Sequence, residues 1–332
     1  KMRKLEIGKN DAGQRMDKYL KKYFREAGSG FLYKMLRKKN IVLNGKKAEG
    51  KEILAKGDII SLYLAEETIE KFRGKADLVQ KAGKVYPVMP LEILYEDENL
   101  LFFNKPAGIL SQKASSQDVS MVENLIGYLL DQGKITEKEL ETFHPSVCNR
   151  LDRNTSGLIL AGKSLEGLQK LSQVLKERSM KKYYLCLVKG EVKKKTVGKA
   201  WLLKDQKKNQ VQVYSQPVSG AALIETAYEP LWSDGAQTLL KADLITGKSH
   251  QIRCHLASLG YPLAGDEKYG DERWNREWKK KTGLSRQFLH AWEICFPQEE
   301  GCLKALSQKT VQAPLPEDLK KVLKSIGVKL GA

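Results

Sequence analysis

The sequence predicts an α+β fold divided between two domains. Its 332 residues exceed the size of one small module, so two domains are expected. Apolar periodicity indicates helices in some stretches and strands in others, and the two kinds do not alternate regularly as in a series of βαβ units. Helical spacing occurs at Leu168, Leu171, Val174 and Leu175, and strand patterns lie at 93–95, 100–103, 183–188 and 238–245.

The N-terminal segment predicts a compact unit of two helices followed by small strands. Apolar residues at three- and four-residue spacing predict helices within 16–24 and 31–36, and the second helix carries several basic residues on its other positions. The dipeptide Asn44-Gly45 predicts a two-residue hairpin turn after the strand that precedes it. A further strand is expected at 59–64.

Composition divides the rest of the chain into three segments. Residues 65–89 are charged and irregular, which predicts a linker. The second domain is expected to span 90–310. The last segment, 311–332, contains Pro314 and Pro316 and then an amphipathic pattern, so we expect a C-terminal helix or tail there.

The net charge of +18 is concentrated near the N terminus. Residues 1–62 hold 17 basic and seven acidic side chains, a net charge of +10 in less than a fifth of the chain. A field concentrated in this way attracts a polyanion, and nucleic acid and an acidic membrane surface are the two candidates. A basic surface that only improves solubility is the alternative interpretation.

Composition excludes several classes of protein. A hydrophobic fraction of 41% is too high for a wholly disordered chain, and no apolar run approaches the roughly 18 residues that span a bilayer. Five scattered cysteines without a CxxC pair predict free thiols, not a disulfide framework or a zinc site. With no apolar-cored signal segment at the start, a reducing cytoplasm is the expected location.

The segment 246–249, TGKS, resembles the end of a phosphate-binding P-loop. The first glycine of that motif would fall at position 242, which is alanine, and 243–245 continue a strand. No glycine-rich loop is therefore available to direct backbone N–H groups at phosphates, and we reject nucleoside triphosphate binding. Motifs of the GxGxxG, HExxH and GxSxG types do not occur, which disfavours dehydrogenases, zinc proteases and esterases.

The block NRLDRNTSGLIL at 149–160 is the strongest candidate for chemistry. Asp152 stands between Arg150 and Arg153 in a polar turn that leads into a short apolar strand. Neighbouring guanidinium groups keep such a carboxylate ionised and can bind it in bidentate fashion. An ionised, positioned carboxylate is a suitable nucleophile for a sugar C1′. A surface cluster of ion pairs is the alternative, and composition alone favours it.

Several motifs in order resemble the pseudouridine synthases that modify ribosomal large-subunit RNA. The block 149–160 is similar to the catalytic motif of that family. The other similar segments are FNKPAG at 103–108, KYYLCLVKG at 182–190, TGKSHQIRCHL at 246–256, GD at 265–266, YG at 269–270 and LHA at 289–291. The similarity extends over about residues 13–300. It implies a catalytic domain with a central, mixed, mostly antiparallel sheet.

The segment 13–64 resembles the alpha-L RNA-binding motif of the ribosomal protein S-four type. In that family the basic helix and the hairpin grip the RNA backbone, so the resemblance favours RNA over a membrane as the polyanion. It implies RNA contacts by Arg15, Lys34, Arg37, Lys38 and Lys39.

The resemblance to the synthases assigns roles to four residues. Asp152 is implied as the nucleophile and Arg253 as the partner of its carboxylate. Tyr184 is implied as the ring that stacks on the target base and assists proton removal, whereas Tyr183 is expected to fill the core. Arg150 is implied to contact the RNA backbone or a flipped nucleotide.

Two positions depart from the family pattern. Asn149 stands where many members have histidine, and Lys-Ser at 248–249 stands where Arg-Thr is common. These departures bear on the choice of uridine and not on the activity. The histidines of the similar motifs, His250, His255 and His290, are expected to be hydrogen-bonded structural residues without a catalytic role.

We therefore predict an isomerase that converts specific uridines in RNA to pseudouridine. The expected partner is ribosomal RNA of the 23S type, with no membrane, no metal and no small-molecule cofactor, and the protein is expected to be a monomer. A non-catalytic RNA-binding or ribosome-assembly factor on the same scaffold is one alternative. A synthase directed at transfer RNA is the other.

Overall fold

The computed structural model describes residues 2–74, 86–205, 207–208 and 210–330, and the chain forms two compact units. The described residues within 1–90, 122–146 and 162–168 form the first unit, and those within 91–121, 147–161 and 169–332 form the second. This division differs from the predicted domain boundaries. Segments that lie far along the chain fold with the N-terminal residues, and local composition does not reveal such a return.

The N-terminal part of the first unit has two helices and a four-stranded sheet. The elements are β1 (Arg3–Glu6), α1 (Met16–Tyr23), α2 (Ser29–Arg37), β2 (Ile41–Leu43), β3 (Lys46–Lys47) and β4 (Ile59–Leu62). The strands are antiparallel in the order β1-β4-β2-β3. Asn44 and Gly45 have φ values of 50° and 73°, which a two-residue turn between β2 and β3 requires, so the predicted hairpin is confirmed.

Helix α3 (Glu66–Arg73) occupies the start of the segment that the sequence predicts as an irregular linker. Ile69 is fully buried, and the ring of Phe72 stacks on Phe31 with 4.1 Å between the ring centroids. The irregular assignment is wrong for these residues, because two apolar side chains in eight positions suffice for packing but are too few to show a period. The rest of the predicted linker that falls on 75–85 lies outside the described residues.

The second unit is built on an eleven-stranded sheet. Its strands are β5 (Glu92–Glu96), β6 (Leu100–Lys105), β7 (Ser146–Val147), β8 (Ser156–Gly162), β9 (Lys181–Lys189), β10 (Thr196–Asp205), β11 (Gln210–Tyr214), β12 (Ala222–Ser233), β13 (Gln237–Leu244), β14 (Leu289–Cys295) and β15 (Thr310–Gln312). The order is β11-β10-β12-β13-β9-β14-β8-β6-β5, with β15 on β14 and β7 on β8. Strands β8 and β14 are parallel and most other pairs are antiparallel, which confirms the mixed, mostly antiparallel sheet.

The described residues that follow form the further helices α4 (Met121–Asp131), α5 (Leu165–Glu177), α6 (Gln251–Ser258), α7 (Glu272–Thr282) and α8 (Glu317–Ser325). Short 3-10 turns occur at Glu139–Glu141 and Gly301–Leu306. Helices α5 and α8 match predicted segments, whereas α4 and α7 were not predicted. In the described part of the chain, no helix is both long and apolar enough to cross a membrane.

A fully buried histidine joins β14 to the strand beside it. His290 Nε2 donates to the carbonyl oxygen of Ala313 at 2.9 Å, so Nδ1 is left to accept from the Ser156 hydroxyl at 2.8 Å. Arg286 donates to the same hydroxyl oxygen at 3.1 Å. Burial lowers the pKa of His290 to about 4. The expected structural role of His290 agrees with these contacts.

We expect the free energy of unfolding of His290→Gln to fall less steeply than that of the parent as the pH is lowered. An unfolded histidine binds a proton near pH 6.5, whereas folded His290 does so only near pH 4, so folding stability falls as the pH drops through this interval. The group contributes a slope of up to about 1.4 kcal/mol per pH unit between pH 6.5 and pH 5. Urea unfolding of parent and variant at several pH values measures this, and equal slopes would contradict the assignment.

Candidate active site

A pocket of about 810 Å³ opens on the second unit. Three loop segments, 110–114, 147–153 and 247–250, form much of its wall together with side chains of β9. Among the described lining residues, Asp152 is the single carboxylate. The lysines and arginines that line the pocket are Lys113, Arg150, Arg153, Lys182 and Lys248. The excess of basic side chains favours a polyanionic ligand in the pocket. Asp152 does not contribute to that attraction, so its role must be a different one.

Asp152 is bound by an arginine distant in sequence. Arg253 Nη1, on α6, donates to Asp152 Oδ2 at 3.0 Å. The side chains of Arg150 and Arg153 are exposed and make no hydrogen bond or ion pair to this carboxylate. The expectation that the flanking arginines orient Asp152 in bidentate fashion is thus wrong, because the turn directs their side chains to solvent.

The guanidinium of Arg253 is fixed by a second carboxylate. Its Nε and Nη2 atoms donate to Asp266 Oδ2 and Oδ1 at 2.7 and 2.9 Å, and the side chain of Asp266 is completely buried. Burial opposes both charges, but the hydrogen bonds from Arg253 lower the pKa of Asp266, and the two carboxylates raise the pKa of Arg253. Arg253 therefore offers Asp152 a cation whose geometry is set before any substrate binds.

The turn that carries Asp152 is held through its backbone. The Ser111 hydroxyl donates to the Leu151 carbonyl at 3.0 Å and accepts from the Leu151 N–H at 2.9 Å. Fully buried Lys105 donates from Nζ to the Arg153 carbonyl at 2.9 Å, and burial lowers the pKa of this lysine to about 7. These bonds on both sides of Asp152 explain how a loop residue keeps one position.

Asn149, the departure from the family pattern, also anchors this turn. Its side-chain nitrogen donates to the Leu158 carbonyl at 3.1 Å, and its oxygen accepts from the Leu160 N–H at 2.7 Å. Both polar atoms of the Asn149 side chain are thus hydrogen-bonded to the backbone of β8. The residue at this position supports the loop in the present chain.

His250, which the sequence analysis left out of the site, lies near the carboxylate of Asp152. Its backbone has φ 58° at the start of α6, its Nδ1 lies 2.8 Å from the hydroxyl of Tyr269, and its Nε2 lies 3.9 Å from Asp152 Oδ1. Burial lowers the pKa of His250, so a neutral imidazole faces the pocket at neutral pH. Sequence reasoning gave His250 no role in the site, and its place in the TGKSHQIR segment was the available signal.

Tyr184 on β9 faces the pocket and is 8% exposed. Burial and the charge of Asp152 raise the pKa of Tyr184, which keeps its phenol protonated at neutral pH. Tyr183 points the other way and is only half-buried, with the ammonium of Lys241 4.1 Å from its ring centroid. The expectation that Tyr183 is the core residue of the pair is therefore wrong.

Comparison with known proteins identifies the family. The family described as RNA pseudouridylate synthase matches residues 99–258. The ribosomal large subunit pseudouridine synthase C of Vibrio vulnificus is 32% identical over 98% of this chain and 97% of its own length. The protein of that name from Escherichia coli is 30% identical over 96% of this chain and 95% of its own length. The chain belongs to the pseudouridine synthase family.

A solved structure agrees with this at the level of the fold. The human RNA pseudouridylate synthase domain containing 4 superposes with a TM-score of 0.57 and 21% identity, over 78% of this chain and 99% of that one. The family match and the relatives in sequence show that this synthase is an isomerase that acts on uridine in RNA. The non-catalytic alternative is thereby disfavoured.

The structure brings the predicted pocket residues of the synthase together. Asp152, Tyr184 and Arg150 line the cavity, with Arg150 exposed, and Arg253 reaches it through Asp152. Asp266 was not singled out, although the GD pair at 265–266 was part of the family resemblance. In the part of the chain that the structure describes, no group of three or more histidine, cysteine or acidic side chains is arranged to hold a metal ion.

The residues predicted to bind RNA lie in the first unit and differ in their surroundings. We call the exposed side chains of Lys34, Arg37, Lys38 and Lys39 the basic face; none has an ion pair among the described residues. Arg15 differs, because its Nη2 and Nε donate to the Asp17 carboxylate at 2.6 and 3.1 Å. Its charge is therefore neutralised locally.

Proposed function

We propose that this synthase isomerises uridines in ribosomal large-subunit RNA of the 23S type, with Asp152 as the nucleophile. The observation that carries the proposal is the Asp152 carboxylate in a basic pocket, paired with a guanidinium that Asp266 fixes. Relatives named ribosomal large subunit pseudouridine synthase C match nearly the whole chain, which supports the large-subunit substrate.

The reaction breaks the N1–C1′ bond of uridine, turns the detached base and joins its C5 to C1′; C5 loses its proton and N1 gains one. Asp152 provides the carboxylate that meets the electron-poor C1′. Arg253 orients that carboxylate, and Tyr184 offers a ring on which the loose uracil can stack. Because substrate and product are isomers, the overall reaction needs no oxidant or reductant.

A uridine inside structured RNA cannot present both C1′ and C5 to a protein pocket, so the target must be flipped out. Unstacking costs a few kcal/mol, which stacking on Tyr184 and phosphate contacts can offset. Arg150 is exposed at the pocket and free of ion pairs among the described residues, which suits contact with the RNA backbone or the flipped nucleotide.

We assign capture of the RNA strand to residues 13–64 and catalysis to residues 90–310. The basic face presents four cations to solvent without a carboxylate to neutralise them. This arrangement, with the resemblance to the alpha-L motif, supports binding of RNA phosphates. The protein acts as a monomer in the cytoplasm in this proposal.

The triple variant Lys34→Gln, Arg37→Gln, Lys38→Gln should bind RNA more weakly and with less salt dependence. Removal of one phosphate-binding cation lowers the slope of log affinity against log salt by about 0.7–0.9. The matched control removes Lys279, Lys280 and Lys281, which are exposed at the end of α7. Equal effects of the two triple variants in a binding series across salt would contradict a specific role of the basic face.

The proposed function is tested by tritium release from RNA labelled at uridine C5, since each isomerisation frees one C5 hydrogen. A large-subunit ribosomal RNA transcript, a small-subunit transcript and unfractionated transfer RNA serve as substrates. We expect release from the large-subunit transcript. Release from transfer RNA alone would favour the transfer-RNA alternative, and release from none would contradict the proposal.

A further inference from the structure

We propose that Lys182 and Arg178 form a subsite for one backbone phosphate of the RNA beside the target nucleotide. The inference rests on the proposed function, because it assumes that the target uridine occupies the pocket. It adds a ligand position that the proposed catalytic residues do not require.

Lys182 lies on β9 two residues before Tyr184, so strand alternation directs both side chains to the pocket. The lysine is half-buried, and its ammonium has no hydrogen-bond or ion-pair partner among the residues that the structure describes. Burial, together with the nearby charge of Arg178, lowers the pKa of Lys182. A partly buried ammonium without a partner is unfavourable, and a bound anion would remove that cost.

A small recess of about 40 Å³ adjoins the pocket at Lys182, and it shares Leu175, Lys182 and Leu244 with the pocket. Arg178 lines this recess, is exposed, and makes no ion pair within the described part of the chain. The carboxylate of Asp243 also lines it but lies 3.4 Å from the ammonium of Lys181. Three cations against one carboxylate therefore leave an excess of positive charge at this corner.

The position of this corner matches a phosphate better than a base. Two residues of a strand span roughly 7 Å, so Lys182 lies beside a base stacked on Tyr184 and not beneath it. Across from it, Gly247 has no side chain, and a Cβ there would lie 3.6 Å from Lys182 Nζ. The glycine leaves open space beside the ammonium of Lys182, and Arg178 lines the adjoining recess. Lysine and arginine side chains both bind phosphate groups.

Lys182→Gln should weaken binding of a large-subunit transcript about tenfold and lower its salt slope by about 0.7, the value for one phosphate contact to a single strand. Lys176→Gln is the matched control, since Lys176 is exposed in the last turn of α5, two residues before Arg178, and does not line the pocket. Equal affinities and slopes for the two variants would overturn the subsite. A lower single-turnover rate at saturating RNA with unchanged affinity would also overturn it, because Lys182 would then act on the detached base and not on a phosphate.

The phosphate itself is tested with a short RNA that the parent protein modifies, carrying a neutral methylphosphonate at the linkage 5′ or 3′ of the target uridine. One of the two substitutions should weaken binding to the parent about tenfold and have no further effect in Lys182→Gln. If, at both linkages, the affinity loss from the methylphosphonate multiplied with the loss from Lys182→Gln, the inference would be overturned. Turnover of the unmodified RNA by the parent is the separate measure: its absence refutes the proposed function, and its presence with multiplied affinity losses refutes only the subsite.

Discussion

Asp152→Asn is expected to reduce pseudouridine formation by about 10³-fold or more. The amide has nearly the same shape, and its oxygen can still accept from Arg253 at the 3.0 Å separation seen for the carboxylate. It is, however, a far poorer nucleophile for C1′ and carries no charge. RNA affinity should change little, because phosphate contacts and stacking supply it.

Asp234→Asn is the matched control for this substitution. Asp234 is exposed in the turn between β12 and β13, where it accepts from two backbone N–H groups, and an asparagine oxygen can do the same. Single-turnover tritium release at saturating RNA compares the two variants with the parent. If Asp152→Asn turned over within tenfold of the parent, the nucleophile assignment would fail.

Arg253→Met should have the second large effect, on stability as well as on activity. Removal of one partner from a buried ion pair costs about 3–5 kcal/mol, because Asp266 is then buried without its counter-charge. Asp152 is also left without the donor that orients it. We expect a large decrease in turnover and a clear drop in the free energy of unfolding.

The double variant Arg253→Met, Asp266→Asn separates the two effects. Asparagine removes the uncompensated charge and keeps an oxygen for the N–H groups of Lys268 and Tyr269, which Asp266 Oδ1 accepts at 2.9 and 3.0 Å. Stability should therefore recover relative to Arg253→Met, whereas activity should not. Recovery of activity along with stability would show that Arg253 acts on the fold alone.

The parts of the fold that the sequence predicted are those with strong local signals. Helix α5 has clear apolar periodicity, strand β9 has a run of six consecutive apolar residues, and the turn at Asn44-Gly45 has a specific dipeptide. The block 149–160 was found because its acid and the apolar strand β8 are adjacent in sequence. Such features do not depend on distant partners.

The features that were missed depend on long-range contacts. Asp152 and Arg253 are 101 residues apart, so the local sequence offered Arg150 and Arg153 as nearer but incorrect partners, and the family resemblance alone indicated Arg253. Asp266 is recognisable as a partner only once α6 places Arg253 beside it. Strand β10 mixes the exposed Lys199 and Lys204 with apolar residues and shows no strict alternation, so its pairing with β11 and β12 defines it as a strand.

Mapping of pseudouridines in ribosomal RNA from cells that lack this protein tests most directly whether it isomerises large-subunit uridines. We expect one or more large-subunit positions to be unmodified in these cells. Expression of the parent chain should restore those positions, and expression of Asp152→Asn at the same level should not. An unchanged set of large-subunit pseudouridines in the deletion strain, or full restoration by Asp152→Asn, would contradict the account.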